Sequence, residues 1–326
     1  MTPQVQTKLE PVPEAPGYYG VPAIHRPHWK WLIIGYFFMG GISGGAAVVA
    51  SFTRLLAGPR AAGLARIATY VSIAALAPCP VLLILDLGRP ARFLNMLRVV
   101  RPSSPMSIGT WGLTFFGLCN ALQTLIQLRQ DLDGEHEKVI GPTGSRGAKV
   151  LAAASGATGF FVAGYTGVLL AATAVPLWSK RPALLGPLFL SSGLTSGVAA
   201  VQVATTLFSS SMDEETEHAL QRMDVLCALS EGALLVAWLG ALGETSRPLR
   251  EGLMGYVVRD GAGGVGVAAP LLMRAAATRL PRRLRRVAMI AASALTLLGG
   301  FMLRYAIVEG GRRSADDPNA TFDLTG

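Results

Sequence analysis

Long apolar blocks recur along this chain, and they leave few folds open to it. Eight can be read, at about 31–56, 64–87, 107–128, 150–177, 184–208, 222–243, 261–279 and 287–308. The hydrocarbon core of a bilayer takes about 20 apolar residues per helical span. Inside it every backbone amide must be satisfied within the protein, so stretches of this length must be helices. A water-soluble packing of the same blocks would need charge to coat it. Only 15% of the 326 residues are charged, against 51% hydrophobic, where a soluble domain carries about 25% charged residues. The expected fold is an all-α integral membrane protein of eight transmembrane helices, multi-pass in the cell (inner, cytoplasmic) membrane.

The seventh block is the weakest, because Arg259 and Asp260 interrupt it. It is placed at 261–279, with 252–260 as a short interfacial piece. Residues 1–30 are polar and proline-rich and read as an extended tail. That tail lacks the basic-then-apolar order of a cleaved signal peptide, which leaves the first apolar helix as an uncleaved insertion signal. The transmembrane domain is then 31–308, followed by a polar tail at 309–326. Gly41-Ile42-Ser43-Gly44-Gly45-Ala46-Ala47 in the first span resembles Gly193-Leu194-Thr195-Ser196-Gly197-Val198-Ala199 in the fifth. Such a repeat predicts two four-helix halves, 31–178 and 184–308, crossing in the same direction. Ordinary small-residue helix packing accounts for the same pattern.

A net charge of +9 invites a nucleic-acid reading. The Lys and Arg residues fall between apolar blocks, however, and not on a stripe interleaved with aromatics, so headgroup-level topology signals and membrane lipid explain them better. Eight spans put both termini on one face. The 29 cations then divide into fourteen on that face, fourteen on the other, and Arg304 inside span eight, which orients nothing.

The chemistry open to the chain is narrow. Haem in a bundle wants axial His on facing helices, and the four His (His25, His28, His136, His218) all lie outside the spans. Cys79, Cys119 and Cys227 stand alone without CxxC spacing, which argues against an iron–sulfur cluster or structural zinc in this chain. GAGGVG at 261–266 has neither the strand before it nor the Lys after it that a phosphate loop needs, and packing is the better account. The expectation is a chain with no haem, no cluster and no metal of its own.

Polar residues at span ends and inside spans say more. Asp86 ends the run VLLIL at the hydrocarbon edge, where Gly88 and Pro90 stop the helix. It either pairs with Arg89 or Arg92 to fix the turn, or takes protons from a ligand at the membrane boundary. Ser104 to Trp111 opens span three with helix-capping hydroxyls and an interfacial ring. Tyr165 is the one large polar-tipped ring in a small-residue span, and a buried phenol needs a partner. Glu231 and Arg304 lie deep within spans six and eight, where an ionisable group is functional by default. They are either a mutual structural pair or, with Asp224, parts of a proton path.

The segments GYFFMGGISGG at 35–45, DLGRPARFLNML at 86–97, SPMSIGTW at 104–111 and GYTGVLLAATAVPLW at 164–178 together resemble the NrfD/PsrC family, the membrane subunit of polysulfide-reductase-type complexes. The resemblance covers the first half by motif and the second half by span pattern alone. It implies an eight-helix, haem-free subunit that reacts with quinone (menaquinone or ubiquinone) as an exchangeable substrate. It also implies two partners, a ferredoxin-like iron–sulfur subunit and a molybdopterin catalytic subunit. Carried over by motif, the quinone residues are His28, Asp86 and Tyr165, with His28 favoured over His25 by its spacing to span one.

Chemistry agrees with that implication. A protein without redox centres can oxidise quinol only by holding the ring within reach of an external acceptor. Its own tasks are to hydrogen-bond the ring oxygens and give the protons a way out, for which Tyr, His and Asp are suited. Arg89, Arg92, Arg98 and Arg101 would dock an acidic soluble partner. Two other classes remain compatible with the sequence: a proton-coupled or small-solute transporter, and a purely structural membrane anchor for a peripheral enzyme.

Overall fold

The computed structural model describes residues 24, 26–57, 61–88, 91–98, 100–134, 146–208 and 214–316, with the backbone alone at 91–94. In chain order the helices are α1 (Trp31–Leu56), α2 (Ala62–Leu76), α3 (Pro78–Asp86), α4 (Ala91–Arg98), α5 (Pro105–Leu132), α6 (Arg146–Ala171), α7 (Pro176–Ser179), α8 (Pro182–Phe208) and α9 (Glu214–Leu242). A 3-10 turn at Gly243–Ser246 leads into α10 (Arg247–Arg250) and α11 (Gly252–Tyr256). A π-helical stretch, Val257–Ala268, joins α11 to α12 (Ala269–Ala277), and α13 (Arg282–Ala315) closes the chain. No strand occurs among the described residues.

Among the described residues, six helices are long and apolar enough to cross a membrane: Trp31–Leu56, Ala62–Asp86, Arg146–Ala171, Pro182–Phe208, Glu214–Arg250 and Arg282–Ala315. Two further helical stretches, α5 and residues 252–277, are comparably long but less apolar. Asn120, Gln123 and Gln127 interrupt the first, and Arg259, Asp260 and Arg274 the second. The helix expected at 261–279, with a separate piece before it, is instead continuous over 252–277. Arg259 and Asp260 bond each other at 2.9 Å on its exposed side, so the charges that weaken the apolar run do not break the backbone. The first and last of the GAGGVG glycines are packing residues there: a Cβ on Gly261 would lie 2.6 Å from Met302 Sδ, and one on Gly266 at 2.6 Å from Gly299 Cα. The last helix also runs past residue 308 to Ala315, with Ser314 and Ala315 buried.

Helix boundaries follow local chemistry. Pro105 takes the first turn of α5, where its missing N–H costs nothing, and Ser104 caps it by accepting from the Ser107 amide at 3.5 Å. Pro78 opens α3 after Ala77, so the second span is two helical pieces in near-continuous register. Gly88, at φ +68°, then turns the chain into α4. Three Glu in the first turn of α9 and two Arg in the last turn of α13 match the sign of the helix dipole.

Helices α1 and α8 form the centre. Every residue from Gly40 to Ser51 of α1 is buried, as is every residue from Thr195 to Ala199 of α8. The two resembling sequence segments meet here. A Cβ on Gly41 would lie 3.3 Å from Gly193 Cα, and one on Gly197 only 2.5 Å from Gly45 C. This is the close backbone approach that Gly-xxx-Gly spacing permits in lipid, where tight packing replaces the hydrophobic effect as the glue. Helix α6 seats against the same centre, with the Gly44 backbone facing Gly159 and Ala163.

Candidate functional site

At the end of the bundle where α1 begins and α13 ends, the first helices place several polar-tipped side chains. Tyr165 of α6 donates its hydroxyl to the Pro105 carbonyl at the start of α5. Its ring stacks on Phe161 at 4.5 Å between centroids. Both rings lie against α5 where it has no side chain: a Cβ on Gly109 would sit 2.6 Å from Tyr165 Cε1, and Gly112 faces Phe161. Tyr36 of α1 is close enough to interact electrostatically with Tyr165 and with Cys79 of α3. Tyr36 and Phe161 pack on one apolar cluster with Leu76, Cys79, Phe116 and Val162.

The other two sequence-derived residues form a second group, near each other. Asp86 is half-buried at the end of α3, and His28, exposed just before α1, is near enough for its charge to act on it. The segment carrying His28 is tied down on both sides. Trp29 stacks on Trp178 at 5.6 Å, and Arg26 lies 3.5 Å from both Glu309 and Asp316. Trp178 is itself fixed by donating from Nε1 to the Ile307 carbonyl at 2.8 Å. Arg98 and Arg101 are exposed on the same end. Arg89, the side chain of Arg92, and His25 lie outside the described residues.

The remaining expected residues form a separate buried polar file between α8, α9, α12 and α13. Asp224 is in a buried ion pair with Arg274, Nε to Oδ2 at 2.5 Å. Gln202 donates to Asp224 at 3.3 Å and accepts from Ser293 at 2.9 Å, and Arg274 reaches Thr296 at 3.2 Å. Farther along α9, Glu231 faces Ser192 and Thr195 and feels the charge of Arg304. Arg304 donates to Phe37 O at 3.1 Å, Ser192 Oγ at 3.0 Å and Gly300 O at 2.7 Å. Glu231 and Arg304 thus both lie near Ser192 and are not in direct ion-pair contact among the described residues. Asp224 Oδ1, Arg274 Nη1 and Arg304 Nη2 find no protein partner there, which is costly for buried charged groups unless something else satisfies them.

Four buried or half-buried residues, three of them in these clusters and one in a third, escape the sequence reading. Charge pattern counts Arg54 and Arg274 among the headgroup-level cations, yet they are 2% and 7% exposed. Arg54 bonds Gln123 at 3.0 Å and Gln127 at 2.7 Å. From Gln127 the network continues to Asp131, Arg66 and Tyr70 at the opposite end of the bundle, beyond the apolar run of α5. Burial disfavours the Asp131 charge, but Tyr70, Gln127 and Arg66 outweigh that and hold it below the usual carboxylate range. Tyr36 and Phe161 look in sequence like ordinary span aromatics. Their signal is positional, since each lies within a segment that carries the family resemblance or one turn from it. No grouping of three or more His, Cys, Asp or Glu that could hold a metal occurs among the described residues.

A family model described as polysulphide reductase, NrfD, matches residues 22–314. The protein is 26% identical over 308 residues to the C subunit of polysulfide reductase from Wolinella succinogenes, covering 87% of this sequence and 94% of that one. It is 28% identical over 316 residues to the protein NrfD of Escherichia coli, covering 87% of this sequence and 95% of the other.

Proposed function

This chain belongs to the NrfD polysulphide reductase family, and from that membership we propose that it is the quinone-reactive membrane subunit of a multi-subunit oxidoreductase. It crosses the membrane eight times, with α5 and residues 252–277 completing the set. It passes electrons between a membrane quinone and a peripheral iron–sulfur subunit, itself joined to a molybdopterin catalytic subunit. It has no activity apart from that assembly. The name of one relative, a lettered component of polysulfide reductase, supports a subunit role.

The observation that supports the reading is that two polar groups, Tyr165 with Tyr36 and Asp86 with His28, lie toward the same end of the first helices. Quinol oxidation releases two electrons and two protons. The electrons leave to the partner's cluster. The chain's own groups bind the ring oxygens and take the protons, with Tyr165 and His28 as hydrogen-bonding groups and Asp86 as the proton acceptor. The exposed Arg98 and Arg101, with Arg89 and Arg92 beside them in sequence, offer positive charge to an acidic partner docking at that end. In the assembled complex, Asp86→Asn and Tyr165→Phe are each expected to lower quinone-linked turnover by roughly a hundredfold. The catalytic partner's activity with a soluble artificial electron carrier should be retained. Unchanged quinone-linked turnover would overturn the assignment.

The buried file of Asp224, Glu231 and Arg304 is the proposed proton path, supported by ionisable groups at membrane depth. In proteoliposomes containing the complex, Glu231→Gln is expected to abolish proton movement coupled to turnover while turnover in detergent continues. Loss of turnover with proton stoichiometry intact would remove Glu231 from that role.

A further inference from the structure

Among the grooves on the sides of the bundle, two are of nearly equal size. One, of about 480 Å³, lies between α2 and α8 beside Arg66 and Tyr70, at the end away from Tyr165. The other, of about 490 Å³, lies between α5 and α6. Both fall in the size range of small-molecule sites, but only the second touches the candidate site.

The α5–α6 groove is aromatic. Trp111, Phe115 and Phe161 line it, with Ile108 and Ala157 beside them and Arg101 at its polar end. Trp111, Phe115 and Ile108 are 39%, 55% and 40% exposed, so this wall of large apolar side chains faces outward from the bundle. Phe161 is the inner wall, and its ring is the one stacked on Tyr165. One aromatic ring thus separates an outward-facing groove from the hydroxyl proposed to bind quinone. Gly112 on α5 removes the side chain that would otherwise occupy the place of the Phe161 ring.

We infer that the α5–α6 groove is the lateral route by which a membrane quinone reaches Tyr165 from the bilayer, with Phe161 as the ring it passes. This rests on the quinone reading above and adds its access path. The flat, apolar ring and isoprenoid tail match an aromatic-lined slot, and the polar ring oxygens match the end at which Tyr165 and Arg101 lie. A tail is what makes the groove necessary. A ring without one can approach from water, whereas a tailed quinone must keep its chain in lipid while the ring enters.

The test uses the assembled complex and two naphthoquinols, menaquinol-4 with its tail and menadiol without one. Ala157 is exposed on the outer side of α6, so Ala157→Trp fills the groove without entering the core. Ala153→Trp, one turn away and equally exposed but outside the groove, is the control. Ala157→Trp is expected to raise the KM for menaquinol-4 about tenfold while leaving menadiol turnover as in the wild type, and Ala153→Trp to change neither. No change with menaquinol-4, or an equal change with both quinols, would overturn the access route. If Tyr165→Phe still lowers turnover in that case, the quinone reading stands and only the route falls. Failure of the wild-type complex to oxidise either quinol would overturn both.

Discussion

Replacing Arg274 by Met is expected to destabilise the folded chain by about 3–5 kcal/mol, because it leaves a buried carboxylate without its counter-charge. Asp224 is fully buried and its Oδ2 lies 2.5 Å from Arg274 Nε. Its remaining contact, Gln202 at 3.3 Å, is a neutral amide and cannot replace a guanidinium. The loss should appear as a large fall in the midpoint of thermal unfolding in mild detergent. The companion variant separates the charge effect from lost packing. Asp224→Asn combined with Arg274→Met removes both charges and should recover most of the loss, since exchanging a whole buried pair for neutral groups is often close to neutral. A midpoint that stays put in the single variant would mean the pair is not buried as described.

Gly197→Ala is expected to cost about 3 kcal/mol, at the top of the usual range for overpacking a well-filled interior. The added carbon would lie 2.5 Å from Gly45 C and 2.6 Å from Ala46 N. Those are backbone atoms in a stretch of α1 where every residue from Gly40 to Ser51 is buried, and they cannot rotate away as a side chain would. Gly240→Ala provides the opposite sign. Nothing lies within 4 Å of a Cβ there, and exchanging an uncrowded helical Gly for Ala gains about 0.5–1 kcal/mol. Unfolding midpoints of the two variants should therefore move in opposite directions. A Gly197→Ala protein as stable as the parent would show that α1 and α8 can part at little cost.

The spans are legible because lipid imposes a simple rule, and the rule depends only on length and apolarity. It works at α1, whose bounds match the apolar run. It works less well at residues 252–277, where a charged pair on the outside of a helix looks, in one dimension, like a break. The same one-dimensional view counts Arg54 and Arg274 as headgroup-level cations. Hydropathy records that a cation stands near the edge of an apolar run but not whether the side chain turns inward, and that depends on Gln123, Gln127 and Asp224 waiting on other helices. The candidate site is read through motifs, which point to His28, Asp86 and Tyr165 separately. That Asp86 lies by His28, and Tyr165 by Tyr36 and Phe161, comes from helix packing that no motif encodes.

Tyr36 and Phe37 are adjacent in α1, and they face different neighbourhoods. The first points toward the tyrosine and cysteine group of the early helices, and the carbonyl of the second receives the Arg304 guanidinium from the last helix. Two successive residues of one helix thus face the tyrosine and cysteine group and the charged interior. Tyr36 also packs against the apolar clusters on both sides of α1, so a slide of that helix that lengthens the Arg304 bond to the Phe37 carbonyl would carry the Tyr36 ring with it, and the two halves of the bundle would feel one displacement.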